Sequence, residues 1–431
     1  MCESEKQQNL SHYKPGIDYA KQQDQNDTLA SYRNRFYIPK DKHGKDLIYM
    51  TGNSLGLQPK STADYIKQEL DDWANLGVEG HTQAKHPWIG YHEFLTESMA
   101  KVVGAKPIEV VVMNTLTANL HLMMVSFYKP TKKRYKILIE ADAFPSDKYA
   151  VETQLRHHGF DPKDGIILWK ARKNEELANY DDFESILETQ GHEIALVIIG
   201  GVNYYTGQLF DLKRITQLSH KHGCMVGFDC AHGAGNVKLD LHDSGADFAV
   251  WCTYKYLNSG PGSLGGCFVH ERHAYNKNLN RFAGWWSHNK ETRFKMRDEF
   301  DQLPGAEGWQ LSNPPILSMA AIRASLAIFE EVGMDKLIEK SKKLTGYFEF
   351  LINELKNDAI KIITPSNPDE RGCQLSIQVK NADKNLHHQL TEAGVISDWR
   401  EPDVIRCAPV PLYNSFQDVY YLVEKLKNIL K

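Results

Sequence analysis

Between about residue 60 and residue 300 the chain alternates short, nearly all-apolar runs with longer stretches of helical period. The runs predict strands over 109–113, 135–140, 165–169, 194–200, 225–229, 248–253 and 266–270. Between them, apolar residues spaced three to four apart predict helices over 116–128, 147–158, 181–189 and 212–222. Strands that are apolar at nearly every position are buried on both faces. Alternating with helices, they predict a mostly parallel seven-stranded sheet covered on each side. The pattern changes after Asn313. Pro314-Pro315 opens a helical stretch, with Ser312 or Asn313 as its expected cap. A second helix is expected over 344–355, then strands over 374–379 and 404–407. Ser415-x-x-Asp418 reads as a capping box for a last helix. The expected class is therefore α/β with a smaller α+β unit. The divisions expected are an arm over 1–60 that forms part of the small domain, a large domain over 61–312 and a small C-terminal domain over 313–431. Residues 1–30 are polar, with little periodicity, and read as an arm or a frayed terminus.

Composition narrows the function classes. The 431 residues carry 51 basic and 55 acidic side chains, a formal charge of −4. Nucleic-acid binding needs a concentrated basic excess, so no nucleic-acid partner is expected. No apolar run approaches the roughly 20 residues of a membrane span. The opening MCESEKQQNL is polar and carries no apolar segment of the secretory kind. Seven cysteines, an odd number without a C-x-x-C pair, predict free thiols and a reducing, cytoplasmic compartment.

Several common motifs are missing. There is no phosphate-binding G-x-x-x-x-G-K-[ST] loop and no G-x-S-x-G elbow. His92-Glu93 begins like a zinc-protease helix but lacks the second histidine, and Gly260–Gly266 precedes a strand rather than a helix. The informative segments are VGFDCAHGAG (226–235) and WCTYKYLNSGPG (251–262). In each, an apolar strand ends in a chemically useful group, Asp229 with His232 in one and Lys255 in the other. Either residue alone is more often half of an ion pair. Together they fit a pyridoxal phosphate site: the lysine forms a Schiff base with the aldehyde, and the carboxylate pairs with the ring nitrogen. The helix start at 114–119 suits a phosphate, and Phe144-Pro145-Ser146-Asp147 offers an aromatic face with hydrogen-bonding groups.

At these residues the chain resembles the kynureninases, within the aspartate-aminotransferase-like group of pyridoxal phosphate enzymes. The resembling stretches run in order from TGNSLGLQPK (51–60) through NTLTANLHLMM, FPSDKYA, GVNYYTGQ, FDCAHGAGNV, TYKYLNSGPG and GWW to LSNPPILSMA and IRCAPVPLYNS (405–415). The resemblance implies that the large domain, 61–312, binds the cofactor, that Lys255 carries it and that Asp229 pairs with the pyridine. It implies phosphate binding by Leu116 and Thr117, and ring contact by Phe144, Pro145, Ser146 and Asp147. His232, Tyr254, Trp285 and Asn313 would complete the cofactor pocket, with Tyr254 also transferring protons. Arg406 would clamp the substrate carboxylate, and Ser54, His81 and Asn313 would face its aromatic end. Gly200 stands where relatives usually carry Ser or Thr, which leaves it a backbone contact. The implied reaction is hydrolysis of L-kynurenine, with 3-hydroxykynurenine as a further substrate, to anthranilate (or its 3-hydroxy form) and L-alanine. The implied setting is tryptophan catabolism and NAD biosynthesis in a cytoplasmic homodimer.

Three other readings compete. A cysteine desulfurase or aminotransferase would share the cofactor, but Cys373 and Cys407 fall at strand positions rather than on a mobile loop. A metal hydrolase would use Asp229, His232, Asp240 and His242, which leaves Lys255 idle. A non-catalytic binding protein would have no use for Lys255 and Asp229 together.

Overall fold

The computed structural model describes residues 10 and 12–430. Cys2, like the rest of 1–9, lies outside the described residues. The first strand, β1 (Ile48–Tyr49), belongs to the small end of the molecule. The next seven form one sheet: β2 (Val110–Met113), β3 (Lys136–Glu140), β4 (Ile166–Trp169), β5 (Ile194–Gly200), β6 (Met225–Asp229), β7 (Phe248–Cys252) and β8 (Gly265–Val269), in the order β2-β8-β7-β6-β5-β3-β4. Five neighbouring strands are parallel, and β8 runs against both of its neighbours.

Side chains of successive strand residues point to opposite faces, and both faces here are apolar. Val110, Val112, Val226, Phe228, Ala249 and Trp251 enter one core with Phe183, Ile215 and Leu326 from flanking helices. Val111, Met113, Phe248 and Val250 enter the other with Leu120, Met124 and Leu155. This two-sided burial explains why the strands read as unbroken apolar runs. It also directs the chemistry: only the carboxyl ends of the parallel strands, where the apolar runs stop, can present polar groups. Glu140, Gly200 and Asp229 are such ends.

A third core holds Ala20, Leu344, Phe348, Leu375, Ile405 and Leu422. It underlies a four-stranded sheet, β12-β13-β10-β9, built from β9 (Ile360–Ile362), β10 (Leu375–Val379), β12 (Asp398–Arg400) and β13 (Val404–Cys407). The remaining strand β11 (Val395–Ile396) pairs in parallel with β1. The last helix, Phe416–Ile429, begins with the expected capping box, in which Asp418 N–H donates to Ser415 Oγ at 3.0 Å.

Two expectations fail. Residues 17–25 are not a frayed terminus but a helix packed on Phe416–Ile429. Ile17, Tyr19 and Ala20, clustered in its first half, are the apolar contacts, too few to show as a period in a polar segment. The helix after Pro314-Pro315 starts at Ile316, with Pro315 in the cap position and no side-chain cap. It packs on the helices Thr62–Leu76 and Glu93–Val103 of the large core. No helix among the described residues is long and apolar enough to cross a membrane.

Candidate active site

At the carboxyl edge of the large sheet a cleft is lined by Leu116, Thr117, Glu140, Asp147, Asp229 and Lys255, among others. Strand register sets its floor, because Gly200 pairs directly with Asp229. Lys255 follows β7 by three residues. Its loop is held by the TGNSLGL segment, in which Gly56 N–H donates to Tyr254 O at 2.8 Å. A Cβ at position 56 would lie 2.3 Å from Lys255 O, so glycine is what permits this approach.

Lys255 Nζ sits 3.1 Å from His232 Nε2 and 5.9 Å from the centre of the Phe144 ring. Burial and the Lys255 charge hold the His232 imidazole well below its ordinary range, so it is neutral. Asp229 is buried and accepts Ala231 N–H at 2.7 Å. Burial raises the Asp229 carboxyl, and burial with the Asp229 charge raises Asp147 further. Two buried carboxyls side by side in low dielectric resist ionising together, and the rise is the stronger at Asp147. Burial pushes the Tyr254 phenol up to about 12, so it is protonated and able to donate.

The opposite wall is the start of helix Leu116–Phe127. Thr115 caps it without a side-chain bond, which leaves first-turn N–H groups open to an anion. Thr117 Oγ1 and Ser146 Oγ lie 2.9 Å apart beside it. Pro145 is the first residue of the next helix and sets the turn that presents Phe144 and Ser146. Two buried polar atoms in this cleft, His232 Nδ1 and Asp147 Oδ1, have no hydrogen-bond partner. A lysine, an acid pair, an open helix start and orphaned polar atoms around one cleft match what pyridoxal phosphate presents: an aldehyde, a basic ring nitrogen and a phosphate.

The structure brings Leu116, Thr117, Phe144, Ser146, Asp147, Gly200, Asp229, His232, Tyr254 and Lys255 to one cleft. Others lie apart from it. Ser54 and Asn313 are exposed, and His81 packs edge-on against Trp88 at 5.6 Å. Trp285, 44% exposed, stands against Phe294. Arg406 is buried behind Tyr204, donating to Tyr204 O at 2.5 Å and pairing with Asp398, which faces it in register on β12. Its Nε has no partner. Sequence reasoning missed four residues of the cleft, Glu140, Val202, Tyr204 and Ala231. Glu140 carried the same signal as Asp229, an acid closing an apolar strand.

The competing chemistries lose their residues. Burial raises Cys373 and Cys407 to about 12, so neither is a thiolate nucleophile. His242 pairs with Glu109 and Asp240 with Lys238, so they do not gather with Asp229 and His232.

Glu140 also makes the stability depend on pH. Burial raises its carboxyl to about 7. The folded chain thus holds this proton where an unfolded Glu, with a pKa of about 4.3, has lost it. Stability from this group is full below the unfolded value and is lost as pH rises through about 7. Thermal melts of the cofactor-free protein should fall from about pH 5 to 8, and Glu140→Gln should flatten that decline.

Fold and cleft together define a pyridoxal phosphate enzyme of the aspartate-aminotransferase-like class. Among solved structures, the fold is similar to an apo cysteine desulfurase from Thermococcus onnurineus NA1, with TM-score 0.73 and 16% identity, covering 89% of this chain and 94% of that one. It is also similar to a cysteine desulfurase from Escherichia coli, with TM-score 0.75 and 15% identity over 94% and 98% of the two chains. Sequence narrows the class. Residues 337–426 match the kynureninase C-terminal domain family. The chain is 57% identical over 409 residues to the kynureninase of Myxococcus xanthus, covering 95% of this chain and 96% of that protein. It is 54% identical over 414 residues to that of Flavobacterium psychrophilum, covering 95% and 97%. The chain belongs to the kynureninase family.

Proposed function

We propose that this cleft hydrolyses the Cβ–Cγ bond of L-kynurenine, and of 3-hydroxykynurenine, to anthranilate or its 3-hydroxy form and L-alanine. The observation that carries the reading is Lys255 facing the Asp147–Asp229 pair across one cleft. When bound, pyridoxal phosphate supplies an aldehyde to hold the amino acid and a ring that withdraws electrons from it. Lys255 would anchor the cofactor, and it is the one amine in the cleft that could move the substrate α-proton. Asp229 keeps the ring nitrogen protonated, and Asp147 supports it. The open N–H groups at Leu116 and Thr117, with Ser146, hold the phosphate. Phe144, presented by Pro145, covers the ring face, and neutral His232 packs beside Lys255. Gly200 contributes its backbone. Water adds to the γ-carbonyl as the Cβ–Cγ bond breaks, and Tyr254 supplies a proton in these later steps. Arg406 receives the α-carboxylate, with its unpartnered Nε available.

Ser54, His81, Trp285 and Asn313 lie outside the single-chain cleft. Their proposed roles therefore go with a homodimer, in which a second copy completes the pocket. The exposed Phe282, Trp285, Phe294, Met296 and Phe300 support such an interface. Six buried free cysteines fit a reducing cytoplasm, and the products fit tryptophan catabolism and NAD biosynthesis. The proposed divisions remain an arm, a large cofactor domain and a small C-terminal domain. Packing of Ile316–Val332 in the large core supports placing the second boundary near Gly333 rather than at 313.

Borohydride treatment of the holoenzyme tests the site: it should fix the cofactor to the peptide carrying Lys255, and label on any other lysine overturns the assignment. Substrate choice is read at the aromatic end. A site that hydrogen-bonds a substrate hydroxyl discriminates far better than an apolar wall. His81→Phe and Asn313→Thr should therefore change the kcat/KM ratio between the two substrates by more than about twofold, roughly 0.5 kcal/mol.

A further inference from the structure

Three carboxyl groups line a cleft that contains one lysine, and the mechanism above uses two of them. The third is Glu140, 6% exposed, at the end of β3. Its two oxygens accept the same donor, Gly200 N–H, at 3.0 and 3.1 Å. Among the described residues no lysine or arginine pairs with it. The charged or titratable groups that face it are Asp142 from the turn after its strand, Asp229 from β6 and Asp147 from the helix Pro145–His157. Lys255 and His232 stand in the same cleft. Backbone N–H groups of Gly200 and of Glu140 itself are its donors, which leaves lone pairs of the carboxyl open to a polar group entering the cleft. The carboxyl lies close against this backbone: a Cβ at position 200 would be 2.8 Å from Glu140 Oε1.

We propose that Glu140 is a further cofactor-binding residue, whose carboxyl, oriented by Gly200 N–H, hydrogen-bonds bound pyridoxal phosphate. The proposal rests on the pyridoxal phosphate reading of the cleft. With its proton exchanging near pH 7, the carboxyl can donate as well as accept.

The test is titration of the cofactor-free protein with pyridoxal phosphate, read as Kd and as the pH dependence of the visible absorption band. Wild type is compared with Glu140→Gln and Glu140→Ala. Loss of one buried hydrogen bond should weaken binding about tenfold in Glu140→Ala. Glu140→Gln keeps the shape, so it should bind within a few fold of wild type but with a shifted pH midpoint of the band. A purely structural Glu140 would lower the melting temperature and leave Kd and band unchanged in both variants, which overturns the proposal. If wild type itself takes up no pyridoxal phosphate, the reading of the cleft falls and this proposal with it.

Discussion

Lys255→Ala should bring turnover of L-kynurenine to background, a fall in kcat/KM of at least about 10⁴, or more than 5 kcal/mol of transition-state stabilisation. Lys255 is the one lysine in the cleft. No other amine there can anchor the cofactor covalently or move the α-proton, so both functions go at once. The side chain is only partly buried and contributes no ion pair to the core, so the folded state should survive. Circular dichroism and gel filtration check the fold, and stopped-time assays with added cofactor check the rate. Residual turnover within about tenfold of wild type would remove Lys255 from its role.

Asp229→Asn should separate binding from chemistry. The amide keeps the size of the carboxylate and can still accept Ala231 N–H. What it loses is the negative charge that holds a proton on the ring nitrogen. Hydrogen bonds to charged groups contribute about 1.5–3 kcal/mol, so kcat should drop by roughly ten- to a hundredfold or more. Cofactor affinity should change much less. The nearby Asp147 does not rescue the variant, because its burial, the largest cause of its raised pKa, persists when the Asp229 charge is gone and still favours the protonated form. Spectrophotometric titration with parallel kinetics reads both quantities. A variant with near-normal kcat would show that another group controls the ring.

The sheet was legible because two-sided burial writes it into the chain as apolar runs. Strands 194–200 and 225–229 match their observed limits, and Asp229 and Lys255 stood out as polar groups closing such runs. The same rule applied to Lys136–Glu140 would have exposed Glu140, but that acid reads equally well as an ordinary loop start. The helix Ile17–Gln25 was illegible because it buries little more than one narrow apolar edge. Helix Ile316–Val332 showed its period but not its partner, since an apolar face does not name the core it joins. Tyr204 carries no local signal at all. It reaches the cleft only because the chain after β5 folds back beneath Arg406, a contact between residues 202 positions apart. Ser54, His81, Trp285 and Asn313 came from family resemblance, and a single chain does not gather them.

The most direct measurement mixes the purified holoenzyme with L-kynurenine and follows anthranilate fluorescence while alanine is quantified. The account predicts the two products in equal amounts, with turnover lost in Lys255→Ala. A protein loaded with pyridoxal phosphate that forms no anthranilate, or that yields alanine from cysteine instead, would contradict it.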